Sequence, residues 1–167
     1  MSWDAFIQNF LIEKQIAEGT LGNCCESAGI ISKISGDVWA CSDRFSLSSY
    51  PMKVQSELSE KVSTILVNES KEILKLFRNE CKPPSLQIRI NKVKYEYILY
   101  NEYSRSVYFK RPKGGACISS TSLALIIATY NENDCVYLQD EQEFYQNAGL
   151  CNERVENLSE FLRNSGF

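Results

Sequence analysis

Apolar residues recur at helical spacing at both ends of the chain and alternate through its middle. In "SWDAFIQNFL", Trp3, Phe6, Ile7, Phe10 and Leu11 fall within one arc at about 100° per residue, the mark of an amphipathic helix. Ser2 is the expected N-cap and Asp4 suits the first turn; the helix is predicted to end near Glu18, with Gly19 as its C-cap. "AGIISKISGDVWACS" predicts two short strands around a turn at Ser35-Gly36-Asp37. Residues 45–67 are β-rich at both ends and polar between, and Pro51 argues against a central strand. A loosely attached hairpin or insert is expected there. Asn68 is the expected cap of a second helix, in which Ile73, Leu74 and Phe77 form one stripe, and Pro83-Pro84 should stop it.

The next stretch alternates. "SLQIRI" and "VKYEYILY" flank Asn91-Lys92, a tight turn; "SVYFKR", the turn Pro112-Lys113-Gly114-Gly115, "ACIS" and "SLALIIATYN" follow. A four-strand antiparallel meander is predicted. Residues 131–150 are polar and read as an extended loop with a helical turn, and Asn152 is the expected cap of the last helix. There Val155, Leu158 and Leu162 make one buried stripe, with Phe161 about 100° from Leu162, on its shoulder. A ring in that place either opens a groove or is covered by a neighbouring helix. The order of elements predicts a single α+β domain over residues 1–167, with helices covering an antiparallel sheet.

Composition narrows the chemistry. The chain has 167 residues, 44% hydrophobic and 23% charged, which suits one globular core. No apolar run reaches the roughly 18 residues of a membrane span. The N-terminus lacks a basic region, and Asp4 and Gln8 interrupt its apolar face, so no signal peptide is expected and the cytosol is the expected address. Seven cysteines stand without CxxC spacing and read as reduced, mostly buried thiols. Histidine is absent, which removes the usual general base and every Ser-His or Cys-His nucleophile pair. No glycine-rich phosphate loop occurs either. Neither an enzyme, a metal site nor a cofactor is expected, and nucleic acid is not an expected partner.

Charge is uneven. Between Ile88 and Lys113, seven basic residues stand against Glu96 and Glu102, a net +5 in a chain whose total is −3. Such a segment is either a positive patch for an acidic partner or a pair of strands whose lysines guard an edge.

Five stretches together resemble a profilin, in order and from end to end: "SWDAFIQNFL", "DVWA", "NKVKYEYI", "KRPKGGACI" and "NERVENLSEFLRNSGF". The "SWD" start and the extra segment before "VNESKEILKLF" look most like the profilins of apicomplexan parasites. The resemblance implies a profilin-like sheet with the terminal helices on one face and a further helix or hairpin on the other. It implies a cytoplasmic, cytoskeletal protein that binds monomeric actin and proline-rich segments such as those of formins, and in many members phosphoinositides. Some apicomplexan relatives are also ligands of a host Toll-like receptor, although the acidic run that several of them carry is missing here.

By position, the resemblance puts Trp3, Phe6, Trp39, Phe161 and Phe167 in the polyproline site, with Asn9 nearby. Phe6, Phe161 and Phe167 stand where many members have Tyr or His, so the rings remain without their polar tips. For actin, Lys94, Arg111 and Asn152 match the family's contacts, with Lys110 and Glu153 as neighbours. Asn91-Lys92 replaces the Gly-Gly pair usual in the family, and asparagine tolerates the left-handed turn. The alternative reading of the α+β pattern is a longin-like or roadblock-like trafficking adaptor; such a domain needs no aromatic set at its termini.

Overall fold

The structure, a computed structural model, describes residues 2–17, 20–78, 87–139 and 142–167. The expected stops at Glu18-Gly19 and Pro83-Pro84, and Cys81, lie outside them. The N-terminal helix begins as expected: the Ser2 hydroxyl accepts the Ala5 N–H at 3.2 Å, opening α1 (Trp3–Phe6), which runs on as a π-helical turn over Ile7–Ile12. It stops there, short of the predicted end. Residues from Glu13 onward form a strand instead, β1 (Glu13–Ala17), paired antiparallel with β2 (Thr20–Asn23). The cause is tertiary, because Arg154 of the last helix donates to the carbonyls of Asn9, at 2.6 Å, and of Glu13. Ile12 O meanwhile accepts Cys24 N–H at 2.7 Å. The carbonyls that a longer helix would bond internally are used elsewhere.

Strands β3 (Ser27–Ser32) and β4 (Val38–Cys41) flank a turn with Gly36 at φ +80°. A separate hairpin, β5 (Ser49–Gln55) with β6 (Val62–Asn68), leads into α2 (Glu69–Arg78). Asn68 Oδ1 accepts Lys71 N–H at 2.9 Å, the expected cap. The segment 45–67 is not peripheral throughout, since Phe45 and Val67 are buried.

The meander has five strands rather than four: β7 (Gln87–Ile90), β8 (Val93–Asn101), β9 (Ser106–Arg111), β10 (Gly114–Ser120) and β11 (Ala124–Asn131). With β3 and β4 they form one antiparallel sheet in the order β4-β3-β11-β10-β9-β8-β7. Asn91 and Lys92 both have positive φ, as a two-residue hairpin turn requires. The turn between β9 and β10 is only Pro112-Lys113, and the two glycines are strand residues. A Cβ on Gly115 would lie 2.5 Å from Phe109 O and 2.6 Å from Tyr130 Oη, so glycine stands there for close packing.

Residues 131–150 are not a loop. They hold a hairpin, β12 (Cys135–Gln139) with β13 (Gln142–Tyr145), in which the Tyr137 and Phe144 rings stack at 4.5 Å. The last helix, α3 (Ala148–Asn164), starts earlier than predicted. Asn147 caps it, accepting Leu150 N–H at 3.0 Å, and Asn152 lies inside it.

The centre of the sheet is buried on both faces. Along β11, Ile126 and Ala128 pack under the terminal helices with Ile7, Leu11, Val155, Leu158 and Leu162. Leu125 and Ile127 point the other way, to Phe45, Phe109 and the Ile73, Leu74 and Leu76 side of α2. A central strand with two cores explains its unbroken apolar sequence.

Candidate functional site

Six aromatic rings collect where the two chain ends meet. Trp3 lies 5.3 Å from Trp39, 5.4 Å from Phe167 and 5.7 Å from Phe6, centroid to centroid. Phe6 lies 5.7 Å from Phe10 and 6.0 Å from Phe161, and Phe10 and Phe161 are 5.6 Å apart. The rings stay partly open: Phe161 is 45% exposed, Trp39 and Phe167 each 38%. Tilted and edge-on pairs at these distances suit aromatic quadrupoles, so the rings hold one another in place.

Each ring is set by its element. Ile7 and Leu11 pin the first helix to the core, with Trp3 and Phe6 half-buried beside them. Arg154 fastens that helix to α3 through the Asn9 and Glu13 carbonyls. Asn9 itself is exposed beside the cluster. Trp39 stands on edge strand β4. Phe161 occupies the predicted shoulder of α3, next to buried Leu162. Phe167 is placed by a Schellman motif, in which Gly166 at φ +91° donates to Arg163 O at 3.2 Å and Phe167 to Leu162 O at 3.0 Å. Ser122 N–H then holds the Phe167 carbonyl at 3.3 Å. The expected ring set is thus brought together. Phe10, read from the sequence only as part of a packing arc, joins it; its i, i+4 spacing from Phe6 was the available signal.

The charged residues divide. On β9, Tyr108 packs toward α3, where its hydroxyl donates to Glu156, while Phe109 belongs to the α2 core. Burial first, then the Glu156 carboxylate, pushes the Tyr108 phenol up. Alternation therefore puts Lys110 on the α3 side and Arg111 on the other. Lys94, next to inward Tyr95 on β8, and Glu96, opposite Lys110, share the α3 side. Lys94 is exposed, and Lys110 is exposed with Glu96 4.0 Å away. Glu153 is exposed and Asn152 half-buried on the adjacent first half of α3.

Arg111 is not part of that surface. It bonds Glu26 at 2.9 Å, lies over the Tyr95 ring at 5.9 Å, and its side chain is 16% exposed. Glu26 also takes bonds from Thr129 and Asn131. No local pattern signals this pairing, because Glu26 and Arg111 are far apart in the chain.

A cleft of about 710 Å³ is lined by Asp4, Glu13, Glu26, Asp43 and Asp134 among others. Among the described residues no group of His, Cys, Asp or Glu is arranged to hold a metal ion. No helix among them is long and apolar enough to cross a membrane.

Comparison with known proteins agrees on one family. A family model described as "Profilin" matches residues 1–167. A profilin of Tetrahymena pyriformis is 28% identical over 169 residues, covering 99% of this chain and 98% of the relative. Among solved structures, Acanthamoeba castellanii profilin II matches with a TM-score of 0.65 at 22% identity, over 99% of this chain and 100% of that one. Mouse profilin IIa, solved in complex with a double repeat from the FH1 domain of mDia1, matches with a TM-score of 0.51 at 14% identity, over 100% of both chains.

Proposed function

The chain belongs to the profilin family, and from that membership we propose that it is a cytoplasmic regulator of actin polymerisation with two binding surfaces. One takes proline-rich segments of the formin type on the terminal aromatic cluster. The other takes monomeric actin on the sheet face beside α3. The observation that carries this reading is the set of partly open rings at the two chain ends, more aromatic surface than sealing a core requires. Family membership also sets the trafficking-adaptor alternative aside.

A polyproline II segment has three residues per turn, rises about 3.1 Å per residue, and presents flat rings and free carbonyls. Aromatic ridges grip such a segment at little entropic cost, because it is already extended. Trp3 and Trp39 supply indole N–H donors for its carbonyls, while Phe6, Phe161 and Phe167 supply surface only. Weak binding that depends chiefly on the rings is the expected result. For actin, an acidic protein, Lys94 and Lys110 provide steering charge, with Asn152 and Glu153 as polar neighbours on the same side. Arg111, engaged with Glu26, is left out of this surface.

Tryptophan fluorescence on adding a proline-rich peptide tests the first surface, with circular dichroism as the folding control. Phe161→Ala should weaken binding without unfolding the protein, because the ring sits on a shoulder. Trp3→Ala should cost roughly 2 kcal/mol of peptide binding if that ring is a hot spot. A folded wild-type protein that gives no response at millimolar peptide would remove the proline-rich partner from the proposal.

A further inference from the structure

The ring cluster has two lobes. Trp3, Trp39 and Phe167 form one; Phe6, Phe10 and Phe161 form the other, and Trp3–Phe6 joins them. The first lobe has two indole donors and the second has none. Phe10 is half-buried, and it lies within ring contact of Phe6 and Phe161 while no such contact joins it to Trp3, Trp39 or Phe167.

The backbone explains why Phe10 is there at all. In a regular α-helix a residue four places on is rotated by about 40°, which would carry Phe10 from the Phe6 row toward the side of buried Ile7 and Leu11. In the π-helical turn over Ile7–Ile12 each residue turns through less than 100°, which swings Phe10 back from that side to beyond the Phe6 row. Phe10, half-buried, therefore stays beside Phe6 and Phe161, while Ile7 and Leu11 are buried in the core.

We propose that Phe10 is a further ligand-binding residue, which lengthens the aromatic surface so that it takes one more polyproline turn than the Trp3–Phe6 lobe junction can hold. The inference rests on the proline-rich reading given above. A turn of polyproline II advances about 9 Å. The step from Trp3 to Phe6 is 5.7 Å and the step on to Phe10 is 5.7 Å again, so a ligand that follows the rings along this path needs more than one turn. The added contact is purely apolar, since Phe6, Phe10 and Phe161 present no hydroxyl or ring nitrogen. It selects for ligand length and not for hydrogen-bonding side chains.

The test compares all-proline peptides of two and three turns, titrated into the full chain and into Phe10→Leu. Wild type should bind the longer peptide about fivefold more tightly than the shorter one, and Phe10→Leu should lose most of that gain. In the unaltered protein, the Phe10 ring protons should shift with the three-turn peptide and far less with the two-turn one, a reading that needs no variant to fold. Wild type and Phe10→Leu gaining equally from the third turn, or Phe10 ring signals indifferent to it, would overturn this role and leave the proline-rich reading in place. Absence of wild-type binding to either peptide would overturn that reading, and this inference with it.

Discussion

Gly166 has open space around it, with no atom within 4 Å of where a Cβ would stand, yet its φ is +91°. Its requirement is backbone conformation alone, and the Phe167 ring depends on it. Gly166→Ala should cost roughly 1 kcal/mol in a urea melt and should weaken proline-peptide binding by shifting Phe167 away from Trp3. Equal peptide affinity in that variant would mean Phe167 needs no fixed seat. The thiols give a second residue-scale expectation. Burial pushes the Cys117 thiol well up, and contact with Cys25 together with burial does the same for Cys151. Cys41 and Cys135 are exposed. Because the thiolate is the reactive form, iodoacetamide at neutral pH should label Cys41 and Cys135 in the native protein. Cys24, Cys25, Cys117 and Cys151 should react only after unfolding, as mass spectrometry of peptides can show.

At the scale of elements, the β5–β6 hairpin is held at its root. Glu69, fully buried, accepts from Ser48 N–H at 2.9 Å, Tyr50 O–H at 3.1 Å and Lys92 N–H at 2.5 Å. One carboxylate thus joins the hairpin, the start of α2 and the Asn91-Lys92 turn. Asn91 adds bonds to Ser46 O and Arg44 O. Replacing residues 52–65 by a short Gly-Ser linker should leave the melting temperature nearly unchanged, since the buried positions Phe45, Val67 and Glu69 are kept. Glu69→Ala should cost about 2–3 kcal/mol, because it orphans three donors; a loss within error would mean the carboxylate is not the root.

Local pattern made some of these elements legible and not others. The Asn68 cap, the Ile73-Leu74 stripe and the Ser35-Gly36-Asp37 turn depend on near neighbours, and the sequence shows them. The end of the first helix depends on Arg154, and the β12–β13 hairpin on a cross-strand Tyr137–Phe144 stack within a polar stretch. No helical or strand period encodes such contacts.

Across the whole molecule, the two candidate surfaces lie on the same side of the sheet, the aromatic one where the chain ends meet and the charged one beside α3. The terminal aromatics and the exposed residues Lys94, Lys110 and Glu153 are visible in sequence through residue type and order. The exclusion of Arg111 is not, because its partner Glu26 comes from the other end of the sheet's sequence. Reversing charge at Lys94 and Lys110 together should slow association with actin, more at low salt than high, since exposed charges act mainly through steering. The exposed Lys110–Glu96 pair itself contributes little to stability, so this double variant should melt like wild type.

The proposed function gives one small domain two separate binding surfaces, an aromatic one at the chain termini and a charged one on the sheet beside α3. Sedimentation velocity on the wild-type protein, with one label on monomeric actin and another on a proline-rich peptide, tests it most directly. The account predicts a single faster-moving species that carries both labels at once, with peptide affinity little changed by actin. Release of the peptide as actin binds would contradict it.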